Sequence, residues 1–91
     1  MKTASLRTKK GVIEIEILLE DERISQAKIT GDFFIYPEEA LESLEKALVG
    51  STGDKTELLK KLTAIYTEKK VSTPGITLDD WLNVITKALT S

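Results

Sequence analysis

The amino-acid sequence predicts an α+β fold: a small antiparallel β-sheet of about three strands followed by three α-helices packed on it. Three observations carry this reading. Apolar residues alternate with polar ones only in the early part of the chain, helical apolar stripes begin only after Pro37, and short polar or glycine-bearing breaks separate the segments. With 91 residues the chain is expected to fold as one domain, residues 1–91, around one core.

Over residues 12–20, Ile13, Ile15, Ile17 and Leu19 alternate with Glu14, Glu16, Leu18 and Glu20, the pattern of a strand with one buried face. The polar tripeptide Asp21-Glu22-Arg23 follows, and residues 24–30 carry Ala27 and Ile29 at alternate positions, so the two segments form an antiparallel hairpin. Residues 3–8 are a candidate edge strand. On a strict period of two, Val12, Leu18 and Ile24 face away from the inward row, which makes the open face of the sheet partly apolar and available to a partner unless a helix covers it.

Pro37 suits the first turn of a helix, Glu38 and Glu39 favour the positive end of the helix dipole, and Ala40, Leu41, Leu44, Ala47 and Leu48 form one stripe. Gly50 fits a left-handed C′ position, so the helix is expected over 37–49. Asp54 with Glu57 has capping-box spacing ahead of Leu58, Leu59, Leu62, Ile65 and Tyr66, and Lys69 and Lys70 close that second helix. The turn-forming run Val71-Ser72-Thr73-Pro74-Gly75 precedes a third helix, capped by Thr77 with Asp80 and carrying Trp81, Leu82, Ile85, Ala88 and Leu89.

Composition narrows the chemistry. The chain has no His and no Cys, hence no side chain that ordinarily titrates near neutrality, no thiolate nucleophile and no imidazole or thiolate metal ligand. No metal site and no catalytic residue are expected in it. The lack of cysteine suits a reducing cytoplasm, where the protein is expected to reside. A net charge of −2 lacks the basic field that draws nucleic acid. Apolar runs no longer than Phe33-Phe34-Ile35-Tyr36 fall far short of the roughly 20 residues that span a membrane, and no signal-peptide core follows Lys2.

Three groups of residues could carry function. The carboxylate pairs Glu14/Glu16 and Asp79/Asp80 are accounted for by the outer face of a strand and the first turn of a helix. The basic run Arg7-Thr8-Lys9-Lys10-Gly11 could meet phosphate through its cations, although charge on an edge strand also guards against aggregation and explains the run more simply. The third group, Gly31, Asp32, Phe33, Phe34, Tyr36 and Pro37, puts three of the chain's five aromatic residues at one strand-to-helix junction. There Gly31 permits an unusual backbone angle, Asp32 can accept from nearby backbone N–H groups, at least one phenylalanine packs under the first helix, and the remaining aromatic is a candidate partner anchor.

This segment also carries a resemblance. Ile29-Thr30-Gly31-Asp32-Phe33-Phe34-Ile35-Tyr36-Pro37-Glu38-Glu39-Ala40-Leu41, followed by Leu44-Glu45-Lys46-Ala47-Leu48-Val49-Gly50, resembles the C-terminal accessory domain of lipoate-protein ligases. In that family a large domain binds lipoate and ATP, makes lipoyl-adenylate and passes the lipoyl group to a lysine of an acceptor domain. Starting at Met1 without that large domain, the chain resembles the free-standing small subunit of two-chain ligases known from archaea and some bacteria. The resemblance implies a heterodimer with a large catalytic subunit, an indirect relation to a lipoyl-acceptor domain, and lipoate, ATP and Mg held by the large subunit. It also brings a fold similar to sulfur-acceptor and iron–sulfur scaffold proteins, whose thiol chemistry a chain without cysteine cannot perform. Family members commonly carry a lysine and a Gly-Gly-Lys turn before the first long strand; here Arg7, Lys9, Lys10 and Gly11 keep the charge and lose a glycine, and any nucleotide or loop contact would fall on Arg7, Lys9 and Lys10. The alternative function is a non-catalytic interaction module of another multi-chain enzyme.

Overall fold

The computed structural model describes residues 2–90. Three strands, β1 (Lys2–Thr8), β2 (Gly11–Glu20) and β3 (Arg23–Asp32), form an antiparallel sheet in the order β1-β2-β3. Three helices follow, α1 (Ala40–Leu48), α2 (Lys55–Glu68) and α3 (Leu78–Leu89). The predicted α+β architecture is the one observed, with α3 against β1 and β2, α1 against β3, and α2 bridging the other two helices.

The inward row of β2, Ile13, Ile15 and Ile17, is buried and meets Leu44 and Leu48 of α1, Leu58 and Leu62 of α2, and Trp81, Val84, Ile85 and Ala88 of α3 in one core. Removing these side chains from water at about 25 cal/mol per Å² is the main force holding the layers together. Val84, absent from the predicted α3 stripe, belongs to that core.

One expectation about the sheet is overturned. Ile24 is buried in the core rather than on the open face. Pairing runs Ile17 with Ala27 and Leu18 with Gln26, then jumps to Leu19 with Ile24, so Ser25 is an extra residue on β3. Such a bulge inverts the alternation beyond it, and the Ser25 hydroxyl donates to the Leu18 carbonyl at 3.1 Å. The middle of the open face is polar, with Thr3 facing Glu16, Glu14 facing Thr30 and Glu16 facing Lys28, all exposed and uncovered by a helix, while Val12 and Leu18, half-buried and outside the core, keep the outward positions expected of them.

The helix boundaries follow caps, with two departures. Thr77 and Asp80 form the expected reciprocal box, each backbone N–H donating to the other's side chain at 2.9 and 3.1 Å. At α2 the box is not reciprocal: Asp54 accepts from the Thr56 N–H, while Glu57 faces Lys61 at 4.0 Å instead. The helix expected over 37–49 begins only at Ala40, because the Ala40 and Leu41 N–H groups bond the Pro37 and Glu38 carbonyls in a preceding turn. Tyr36 is meanwhile held extended by a two-bond bridge to Ser72, a distant pairing that local periodicity does not encode. Gly50 takes the expected positive φ, and its N–H donates to the Ile24 carbonyl, tying α1 to the start of β3.

Both sheet edges are engaged by helix side chains. Glu45 of α1 accepts from the Ile29 N–H of β3 at 2.6 Å, and Lys87 of α3 donates to the Ser5 carbonyl of β1 at 3.1 Å.

Candidate functional site, an aromatic ledge at one end of the sheet

Two of the three groups singled out in the sequence converge at one end of the sheet. Arg7 pairs with Val12 and Val12 with Asp32, so the basic β1–β2 turn and the 31–37 segment are neighbours across β2. The approach is tight. A Cβ on Gly11 would lie 2.0 Å from the Asp32 carbonyl oxygen, and one on Gly31 would lie 2.2 Å from that of Val12. Gly31 also has φ +139°, as its position in the motif predicts, so only glycine fits there without strain.

From this anchor the two phenylalanines part. Phe33 turns inward and meets Trp81 edge-to-face, with ring centroids 5.8 Å apart. The inward packing expected of one phenylalanine is thus met by Phe33, on Trp81 of α3 and against the core that α1 also lines. Phe34 turns outward, 66% exposed, and stacks parallel to Tyr36, itself 54% exposed, at 6.5 Å. Asp32 is exposed and its carboxylate makes none of the backbone bonds foreseen for it among the described residues.

What holds this ledge was not singled out in the sequence. The Tyr36 N–H donates to the Ser72 carbonyl at 2.9 Å, and the Tyr36 carbonyl accepts from the Ser72 N–H at 2.8 Å; the Tyr36–Pro37 bond is cis. Behind it runs a chain of hydrogen bonds. Trp81 Nε1 donates to Tyr66 Oη at 2.7 Å, the Tyr66 hydroxyl to Thr73 Oγ1 at 2.8 Å, and Thr73 to the Ile76 carbonyl at 3.0 Å. Thr73 is buried, so this network satisfies polar groups that would otherwise be costly. The only legible sign was a Trp and a Tyr, each with a polar tip, on helices flanking a turn.

Lys70 adds a further control. It has φ +52°, and the Val71 N–H reaches the Tyr66 carbonyl at 3.0 Å, the bond of a Schellman motif without its usual glycine. The α2–α3 loop thus leaves the helix at a fixed angle, bringing Ser72 to Tyr36.

The basic residues do not gather round one point. Arg7 stands with Thr3 and Ser5 in the exposed row of β1, while the stem of Lys10 lies over Gly75, where a Cβ would come within 2.6 Å of it. Among the described residues no three carboxylates are grouped as a metal ion would need, and Glu14, Glu16, Asp79 and Asp80 stay on their own elements. No helix of the described residues is long and apolar enough to cross a membrane.

Comparison with known proteins shows the family. Residues 2–85 match the family described as bacterial lipoate protein ligase C-terminus. The chain belongs to that family. Among lipoate protein ligase C-terminal relatives, lipoate-protein ligase A subunit 2 of Thermoplasma acidophilum is 31% identical over 85 residues, covering 93% of this chain and 87% of the relative. A solved structure from an archaeal lipoylation system, described as a bi-partite lipoate protein ligase and its E2 lipoyl domain from the same organism, superposes with TM-score 0.82 over 91% of each chain. The family named from the 29–50 motif is therefore the one shown across nearly the whole chain.

Proposed function

We propose that the chain is the accessory subunit of a two-chain lipoate-protein ligase, docking on a large catalytic subunit and supporting ATP-dependent formation of lipoyl-adenylate before transfer to an acceptor lysine. The observation that carries this reading is the near end-to-end match to a relative that is itself a separate subunit, with 93% of this chain aligned.

The residues suit a supporting role. With no His or Cys, the chain has none of the side chains most often used for proton transfer or covalent catalysis at neutral pH. Lipoate, ATP and Mg2+ are assigned to the large subunit. A small protein can still set a rate by binding only the competent arrangement of its partner: moving a conformer from 1:99 to 99:1 takes a differential affinity of about 5.5 kcal/mol.

The test is lipoate-dependent adenylate formation by the cognate large subunit, titrated with this chain. Stimulation that saturates at equimolar ratio is expected. A folded large subunit whose rate the chain leaves unchanged would remove the proposal in favour of a general interaction module.

A further inference from the structure

The structure assigns the docking surface: we propose that the stacked Phe34 and Tyr36 rings, with the Lys9-Lys10 turn at their flank, seat in an apolar hollow of the large subunit whose rim carries carboxylates opposite those lysines. The proposal rests on the accessory-subunit reading and specifies where that contact is made.

Exposure and rigidity argue it together. Two aromatic rings 66% and 54% exposed are a poor use of the apolar residues of a small chain unless something else buries them. Among the described residues the other large apolar side chains in solvent, Val49 and Leu59, are aliphatic and stand apart from each other, at the end of α1 and on α2. The pair is also fixed in advance. Gly31 and Gly11 clamp the segment at one end, the Tyr36 to Ser72 bridge holds the other, and Phe33 on Trp81 anchors the middle. A preformed aromatic projection loses little conformational entropy on binding, which is what makes such residues the centre of an interface.

Charge gives the partner's chemistry. The chain is acidic overall, yet Lys9 and Lys10 sit together on the turn whose Gly11 abuts Asp32 and Phe33. The stem of Lys10 lies over Gly75, in the loop whose Ser72 is bonded to Tyr36. Beyond Tyr36 in the chain, Glu38 and Glu39 precede α1, and the exposed Asp32 adjoins Gly11, so the seat needs cations opposite these carboxylates and carboxylates opposite the lysines. Opposed charges fix the orientation of docking and raise the association rate more than the affinity. The open sheet face has no comparable feature: its exposed Glu14 and Glu16 are already set opposite Ser5 and Thr30, and Thr3 and Lys28.

The experiment measures binding of the full chain to the cognate large subunit by calorimetry, and association rates at two salt concentrations. Phe34→Ala is expected to weaken the complex about 30-fold or more while leaving the melting temperature of the free chain essentially unchanged. Lys9→Glu with Lys10→Glu is expected to slow association several-fold and flatten its salt dependence. Adenylate formation with Phe34→Ala should return to the wild-type rate at saturating subunit. Glu14→Lys, on the open sheet face, should bind as wild type. Unaltered affinity in Phe34→Ala, or dissociation caused by Glu14→Lys instead, overturns this surface while leaving the accessory-subunit reading intact. If the wild-type chain forms no complex, both fall. If the pair instead mediates self-association, seen as a wild-type dimer that Phe34→Ala makes monomeric without loss of large-subunit binding, the assignment is also wrong.

Discussion

The two ends of the sheet solve the same problem by opposite means. At the end bearing the ledge, β2 and β3 approach so closely that glycine is required at positions 11 and 31, and the segment beyond is bonded to a distant loop. At the other end, the β2–β3 turn places Asp21 and Glu22 at φ +53° and +64°, a conformation that favours glycine or asparagine, with no glycine present. There Arg23 ties the turn to the Gly50 carbonyl at 2.9 Å, and Ile24 is bracketed by backbone bonds to Gly50 and Ser51. The end bearing the ledge thus meets its unusual backbone angle with a glycine and is bonded to a distant loop, whereas the far end carries positive φ on Asp21 and Glu22 and is tied to the C-terminal end of α1.

Substitutions can break or sharpen that contrast. Gly31→Ala should have the largest effect, a loss of about 3 kcal/mol in urea denaturation, because the new methyl meets the Val12 carbonyl in a region of backbone space hostile to alanine. Next, Phe33→Ala should cost about 2 kcal/mol and Phe34→Ala less than about 0.5 kcal/mol, since only the first ring packs on the core. Equal losses at these adjacent positions would show that the outward ring carries folding energy. Tyr66→Phe should cost about 1–2 kcal/mol by leaving the Trp81 N–H without its acceptor, and the tryptophan fluorescence should shift with it. Replacing Asp21 and Glu22 by Asn and Gly should gain about 1 kcal/mol by relieving the strained turn. No gain there would mean that Arg23 and Gly50 already offset the strain.

The parts legible in the sequence are those governed by local pattern. The Ile13, Ile15, Ile17 row, the Thr77/Asp80 cap and the positive φ of Gly31 and Gly50 follow from spacing and residue type. Ile24 departs from the face that a strict period of two predicts because one extra residue, Ser25, reverses the facing of what lies beyond it, and nothing in the composition of 23–26 marks a bulge. α1 starts three residues later than Pro37 and two glutamates predict, because the bond that competes with that helix entrance comes from Ser72. For the candidate site, the sequence supplied the projecting residues but not their supports. Phe34 and Tyr36 stand in a motif, whereas Tyr66, Thr73 and Trp81 meet only after the chain has folded back on itself.

The side chains of Glu45 and Lys87 have a consequence for how the protein behaves in a crowded solution. Near the middle of each outer strand, one hydrogen-bonding position is already taken by an arm from a helix. A second copy cannot continue the sheet through those positions without first prising an arm loose, so the three strands are a finite object rather than the first layers of a growing fibre.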